Sequence, residues 1–151
     1  MFYYAYGSNI SQNRMLNERN VEFKSRKLAI LENYKLVFNK VSKNNCYLGF
    51  ANIVESPGDI VEGALYEIND SDIDIIDKFE GTKSKISHYN RAIVEVLCDD
   101  RKIEAIVYIA NPTMVRSNIK PDKNYLSYIL EGKDLFSLEY YDKLLETRTL
   151  D

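Results

Sequence analysis

One glutamate and one four-residue turn carry the chemistry this chain could do. Glu80 ends the apolar-patterned run Ser71 to Phe79 and is followed by Gly81, the residue type most often found just past a helix end. Ile73, Ile76 and Glu80 recur at spacings of three and four, which puts the carboxylate on the helix face that packs inward. Burial, the negative end of the helix and Asp77 one turn back each disfavour the charged carboxylate, so its pKa is expected to rise. A carboxyl group near neutrality can both take and return a proton, as general acid-base catalysis requires. Ser71 with Asp74 three residues on reads as a capping box starting the same helix.

The second half of the chemistry lies in Tyr6-Gly7-Ser8-Asn9, between a short apolar strand candidate, Phe2 to Ala5, and a helix candidate, Ser11 to Glu18. Gly7 is expected to take a positive φ and, having no side chain, to let a ligand approach the main chain. The N–H groups of Ser8, Asn9 and Ile10, with Ser11 as N-cap, would then meet an acidic group at the positive end of a helix. In isolation these four residues are ordinary turn chemistry; they gain meaning beside Glu80.

The remaining elements must hold these two stretches together. Strands are predicted at Phe2-Tyr6, Arg26-Ile30, Tyr34-Asn39, Leu48-Val54, Val61-Ile68, Arg91-Leu97 and Glu104-Ala110, and helices at Ser11-Glu18, Ser71-Phe79, Asp122-Leu130 and Leu138-Glu146. Turns are marked by Lys43-Asn44-Asn45, Ser56-Pro57-Gly58-Asp59, Asp99-Asp100-Arg101 and Asn111-Pro112. More strands than helices, without regular βαβ alternation, indicates an α+β fold. At 151 residues, 45% hydrophobic and 28% charged, the chain suits one domain, 1–151, with a real core.

Composition also excludes function classes. A net charge of −3 with scattered lysines and arginines does not indicate a nucleic-acid or anionic-membrane surface. Cys46 and Cys98 lie in strand-like stretches without C-x-x-C spacing and read as small buried hydrophobes. With His88 as the single histidine, read as a surface loop residue, a zinc site or a histidine triad has almost no material. No leader-like or membrane-length apolar segment is present, so the expected location is the cytoplasm. Tyr89 and Arg91 lead into a strand and could border the site, but packing at the strand entry is the favoured role.

The chain resembles the gamma-glutamylcyclotransferase family. The residues that carry the resemblance are Phe2-Tyr3-Tyr4-Ala5-Tyr6-Gly7-Ser8-Asn9, then Ser56-Pro57-Gly58-Asp59 with Val61-Glu62-Gly63. They continue with Asp77-Lys78-Phe79-Glu80-Gly81, Lys83-Ser84, and Tyr125 before Leu138-Glu139-Tyr140, in order over nearly the whole chain. The resemblance implies a small mixed β-barrel with helices packed outside, and Glu80 as the catalytic proton acceptor. It also implies a substrate site lined by Tyr3, Tyr4, Ala5, Tyr6, Gly7, Ser8 and Asn9, largely through the main chain, and closed by Tyr125. The segment Gly81 to Asn90 looks longer than in the animal enzymes, and Glu62 replaces a familiar aromatic residue; both bear on substrate preference.

The implied reaction converts a gamma-glutamyl amino acid into 5-oxoproline and the free amino acid by attack of the substrate's own alpha-amine on its gamma-carbonyl. It needs no cofactor and no metal. The implied partner is therefore a small molecule, with neither nucleic acid nor membrane, and a homodimer is compatible with it. Glutathione is expected to be a poor substrate, because the resemblance is to the general cyclotransferases. Within the superfamily the nearest alternatives are a gamma-glutamylamine cyclotransferase and a pathway-specific deprotecting enzyme. Outside it stand a non-catalytic small-ligand sensor and an interaction protein with a tyrosine-rich surface.

Overall fold

A computed structural model describes residues 1–151. Five strands close into a barrel in the order β1-β3-β2-β4-β5: β1 (Phe2–Ala5), β2 (Ser25–Val41), β3 (Gly49–Glu67), β4 (Tyr89–Cys98) and β5 (Arg101–Ala110). β1 runs antiparallel to β3, with Tyr3 opposite Tyr66, and parallel to β5, with Tyr3 opposite Ile106. That parallel contact closes the barrel and makes it mixed, the α+β architecture expected from the sequence. The barrel interior and the inner helix faces form a hydrophobic cluster of 29 buried residues. No helix is long and apolar enough to cross a membrane.

The strand predictions are corrected at one place. Arg26-Ile30 and Tyr34-Asn39 are parts of one strand, β2, and Leu48-Val54 and Val61-Ile68 belong to one partner, β3. Ser56-Pro57-Gly58-Asp59 does not reverse the chain. Pairing passes from Glu32 opposite Ile60 to Tyr34 opposite Glu55, so the four residues bulge out of β3 across from Asn33. Gly58 at φ 88° and Asn33 at φ 65° supply the unusual angles, and the Gly58 N–H donates to Asn33 Oδ1 at 3.1 Å. The Asp99-Asp100 turn does reverse the chain, with both residues at positive φ, as a tight hairpin between β4 and β5 requires.

Three α-helices pack outside: α1 (Ile73–Glu80), α2 (Lys123–Leu130) and α3 (Leu138–Leu145). Asp122 caps α2 by accepting from the Tyr125 N–H at 2.7 Å, and Ser137 caps α3 by accepting from the Tyr140 N–H at 3.2 Å. Ser137 is itself held by the buried Glu62 carboxylate, which accepts from its N–H at 2.8 Å and its hydroxyl at 2.6 Å. Glu62 thus ties α3 to the barrel and does not line the pocket described below. The helix expected over Ser11-Glu18 is mostly a wide π-type turn, Arg14–Glu18, with Ser11 Oγ accepting from the Arg14 N–H at 3.0 Å.

The Ser71/Asp74 capping box does not form. The chain enters α1 through a 3-10 turn, Asp70–Asp72, so Asp72 is already helical where an extended capping residue would have to stand. The end of α1 matches expectation: Gly81 adopts φ 66° and its N–H bonds back to the Lys78 carbonyl. Between these ends, Ile73 and Ile76 enter the core and Asp77, only 2% exposed, meets the barrel. Arg91 on β4 donates to both Asp77 oxygens at 2.7 and 2.5 Å, and the Tyr108 hydroxyl on β5 donates to Oδ1 at 2.7 Å. Burial alone would push the Asp77 carboxyl up, but these donors outweigh it and hold it below the usual range. Arg91 is therefore the barrel's grip on α1, not a simple packing residue.

Replacing Arg91 by Met leaves the Asp77 carboxylate buried without its cation. Because the Arg91 side chain is itself 39% exposed, the expected loss is on the order of 2–4 kcal/mol, somewhat less than for a fully buried pair. Denaturant unfolding measures it; an unchanged unfolding midpoint would remove the ion pair from the account.

Candidate active site

The segment leaving β1 and the end of α1 converge on one small pocket. Its lining contains every residue expected from the sequence: Tyr3, Tyr4, Ala5, Tyr6, Gly7, Ser8, Asn9, Glu80 and Tyr125. Ala51, Tyr89 and Tyr108 complete it. Ala51 and Tyr108 have no chemical signature in the sequence. Tyr89 does border the site rather than only pack at a strand entry: its hydroxyl donates to the Ala51 carbonyl at 2.8 Å and its ring forms part of the wall, which Arg91 does not join. Tyr125 accepts from the Ala51 N–H at 3.1 Å, so two tyrosines grip opposite sides of one residue of β3.

The β1 segment is rigid because its tyrosines are satisfied across the barrel. Tyr4 donates to the Val61 carbonyl at 2.9 Å, and Tyr6 donates to the Tyr108 carbonyl at 2.5 Å. Tyr66 donates to the Asn9 carbonyl at 2.7 Å, and Arg26 donates to the Ile10 carbonyl at 2.8 Å while pairing with Asp134. These contacts hold the carbonyls of the turn from outside the pocket.

The turn itself differs from expectation in two respects. Gly7 has φ −111°, so no positive φ is involved. Its glycine identity is a matter of space: a Cβ there would stand 3.1 Å from Ala51 Cβ and 3.4 Å from the Tyr125 hydroxyl. The Ile10 N–H is consumed by the Gly7 carbonyl at 3.0 Å, within a 3-10 turn over Ser8–Ile10, and is no donor for a ligand. The Gly7 N–H has no partner within the protein. Asn9, in turn, acts through its side chain: Nδ2 donates to Glu80 Oε1 at 3.2 Å and to the Tyr3 hydroxyl at 3.0 Å, while Oδ1 accepts from Arg19 at 3.3 Å.

Glu80 as a whole is half-buried, but its carboxyl is enclosed in the pocket, and that enclosure raises it to about 7. Arg19, Arg14 and Lys40 each pull it down, and Asp77 pushes it further up but contributes least of these. The cause expected from Asp77 is thus minor, since that carboxylate is neutralised by Arg91. None of the three cations lies within 4 Å of the carboxylate, and its one side-chain hydrogen bond comes from the neutral Asn9. The site therefore presents a carboxyl group poised near neutrality beside a main chain that a small ligand can touch.

Outside Glu80 the pocket opens into a wider, solvent-exposed vestibule that shares Ser8, Glu80, Tyr89 and Tyr125 with it. His88 is half-buried there, its Nδ1 2.8 Å from Lys40 Nζ, and its ring packs over Gly81. It lies in the loop between α1 and β4, as expected, but is partly covered there, because the left-handed Gly81 leaves room for the ring. Cys46 is exposed in a turn, contrary to expectation, whereas Cys98 is buried in β4; both are free. No three His, Cys, Asp or Glu side chains come together in a way that could hold a metal ion.

Comparison with known proteins gives one consistent answer. The family model described as gamma-glutamyl cyclotransferase, AIG2-like, matches residues 3–132. The gamma-glutamylcyclotransferases of Bos taurus and Homo sapiens are each 30% identical to this chain over 147 residues, covering 94% of it and 76% of their own length. A solved structure of a gamma-glutamyl cyclotransferase superposes with a TM-score of 0.85 at 29% identity, covering 99% of this chain and 89% of that one.

Gly7→Val is expected to close the pocket from its main-chain side. Overpacking against Ala51 and Tyr125 should cost about 1–3 kcal/mol of stability, measured by denaturant unfolding. A Gly7→Val protein as stable as the parent would contradict the close approach at this residue.

Proposed function

The chain belongs to the gamma-glutamyl cyclotransferase, AIG2-like family, and on that premise we propose that it converts a gamma-glutamyl amino acid into 5-oxoproline and the free amino acid. The observation that carries this reading is the Glu80 carboxyl, raised to about 7 by burial and set in the same pocket as the Gly7 turn. A group of that proton affinity suits both halves of the proton traffic.

In the proposed cycle the Glu80 carboxylate takes a proton from the substrate's alpha-ammonium. The freed amine attacks the gamma-carbonyl carbon, forming the ring C–N bond and a tetrahedral oxyanion. The bond to the leaving nitrogen then breaks as protonated Glu80 returns its proton there. Glu80 then takes the second proton from the ring nitrogen and passes it to the departing amine, so the attacking nitrogen gives up two protons, the leaving nitrogen gains two, no water is consumed and Glu80 ends as it began. Main-chain donors at the Gly7 turn serve the substrate's oxygens. Tyr125, braced against Phe50 at 4.8 Å between ring centres, helps hold the substrate bent. Such confinement of the two ends of one molecule can supply about 7–11 kcal/mol, which leaves a single carboxylate enough to do.

Glu80→Gln keeps the shape of the side chain but can neither accept nor return a proton. It should lower kcat by about 10²–10⁴-fold with substrate binding nearly intact, measured by release of alanine and 5-oxoproline from gamma-glutamyl-alanine; full activity would remove Glu80 from the mechanism. Since the free enzyme needs the carboxylate, and burial raises its pKa, kcat/KM should increase as pH rises through about 7. A profile already flat from pH 5 upward would contradict this. Turnover should survive exhaustive chelation, and glutathione should be a poor substrate beside gamma-glutamyl-alanine in the same assay.

A further inference from the structure

The vestibule outside Glu80 is far more positive than the chain as a whole. Arg14, Arg19, Lys40, Lys43 and Lys78 line it, and Glu80 is its only carboxylate, although the protein's net charge is −3. Lys43 and Lys78 are exposed, but the other three are built into the wall. Lys40 is only 3% exposed and has no carboxylate within 4 Å; its ammonium touches His88 and lies 5.6 and 5.5 Å from the ring centres of Phe50 and Tyr89. Burial lowers it to about 8, so it remains charged near neutrality.

The two arginines are similarly under-compensated. Arg19 lies over the Phe79 ring at 4.2 Å, and both burial and the charge of Arg14 make its guanidinium less favourable. Arg14 lies over Tyr128 at 4.1 Å, reaches Glu18 only at 3.8 Å, and keeps a buried Nε with no hydrogen-bond partner. A buried cation without an anion costs free energy that an incoming anion returns. The stretch of wall that carries these charges begins where the inner pocket ends, at Ser8, Glu80 and Tyr125.

Resting on the cyclotransferase reading, in which the glutamyl half fills the inner pocket, we propose that the vestibule is a carboxylate-binding subsite for the leaving half. Lys40, Arg14 and Arg19 are its working charges, and the favoured substrates are gamma-glutamyl conjugates whose leaving amino acid is itself acidic. One carboxylate answers one cation; the vestibule has charge to spare for a leaving residue with two. A leaving half that carries an amine and no carboxylate meets like charge there and is rejected.

The test compares gamma-glutamyl-glutamate, gamma-glutamyl-alanine and gamma-glutamyl-alaninamide, which carry two, one and no carboxylates on the leaving half. The expected order of kcat/KM follows that count, with about tenfold or more between the first and the last. Lys40→Met should shrink that ratio by about tenfold, and Lys40→Arg should preserve most of it. Equal use of the alanine and alaninamide conjugates, or an equal loss on all three in Lys40→Met, overturns the subsite. Calorimetric binding of the same three ligands to the Glu80→Gln protein needs no turnover, and the same order of affinities is expected. Turnover without charge preference overturns the subsite alone; charge-ordered binding without turnover in the native protein overturns the cyclotransferase reading and leaves the subsite standing.

Discussion

The arrangement depends on the ion pair between the buried Asp77 carboxylate and the partly exposed Arg91, completed by the Tyr108 hydroxyl. A helix of eight residues has little stability of its own, and α1 is held to the barrel by Ile73 and Ile76 on one turn and by this carboxylate on the next. Glu80 follows one turn later. Its position is thus fixed by a contact three residues away, made to two adjacent strands, rather than by the contacts of its own carboxylate. Arg91 also removes Asp77 as a competing charge, so the proton affinity of Glu80 is set by burial and by the cations of the vestibule.

The other wall of the pocket is rigid for a different reason. Each tyrosine that β1 sends across the barrel finds an acceptor or donor: Tyr4 at Val61, Tyr6 at Tyr108, Tyr3 at Asn9. Tyr3 also stacks on Tyr66 and meets Tyr108 edge-on, at 6.1 and 5.7 Å between ring centres. Tyr108 consequently belongs to both walls, since its hydroxyl holds α1 through Asp77 and its carbonyl holds Tyr6. One residue on β5 links the segment that would bind the substrate to the helix that would move its proton. A preorganised site of this kind needs no rearrangement to bring a carboxyl group and main-chain donors together.

Much of this was legible in the sequence where the signals are local. The i, i+3, i+4 pattern of Ile73, Ile76 and Glu80, with Gly81 behind it, located the helix end and its inward carboxylate. The glycine turn after β1 and the Ser11 cap rest on equally short-range chemistry. What could not be read were pairings over long separations. Nothing near Arg91 indicates that its partner is Asp77, fourteen residues earlier, and nothing in Ala51 or Tyr108 marks them as pocket wall. Ser56-Pro57-Gly58-Asp59 carries every mark of a turn, and only the continuity of β2 beside it makes the same residues a bulge. Lys40 looks like any lysine in an amphipathic strand until the barrel closes over it.

The central claim is that the fold holds the Glu80 carboxyl near neutrality. Its titration can be followed directly by carbon-detected NMR of protein carrying ¹³C-labelled glutamate, with the Glu80 signal assigned by its loss in Glu80→Gln. The midpoint should lie near 7, and the neighbouring Asn9 side-chain amide should shift with it, because Nδ2 donates to that carboxylate. A midpoint close to the ordinary value of 4.5, or an Asn9 amide indifferent to pH between 5 and 8, would contradict the account.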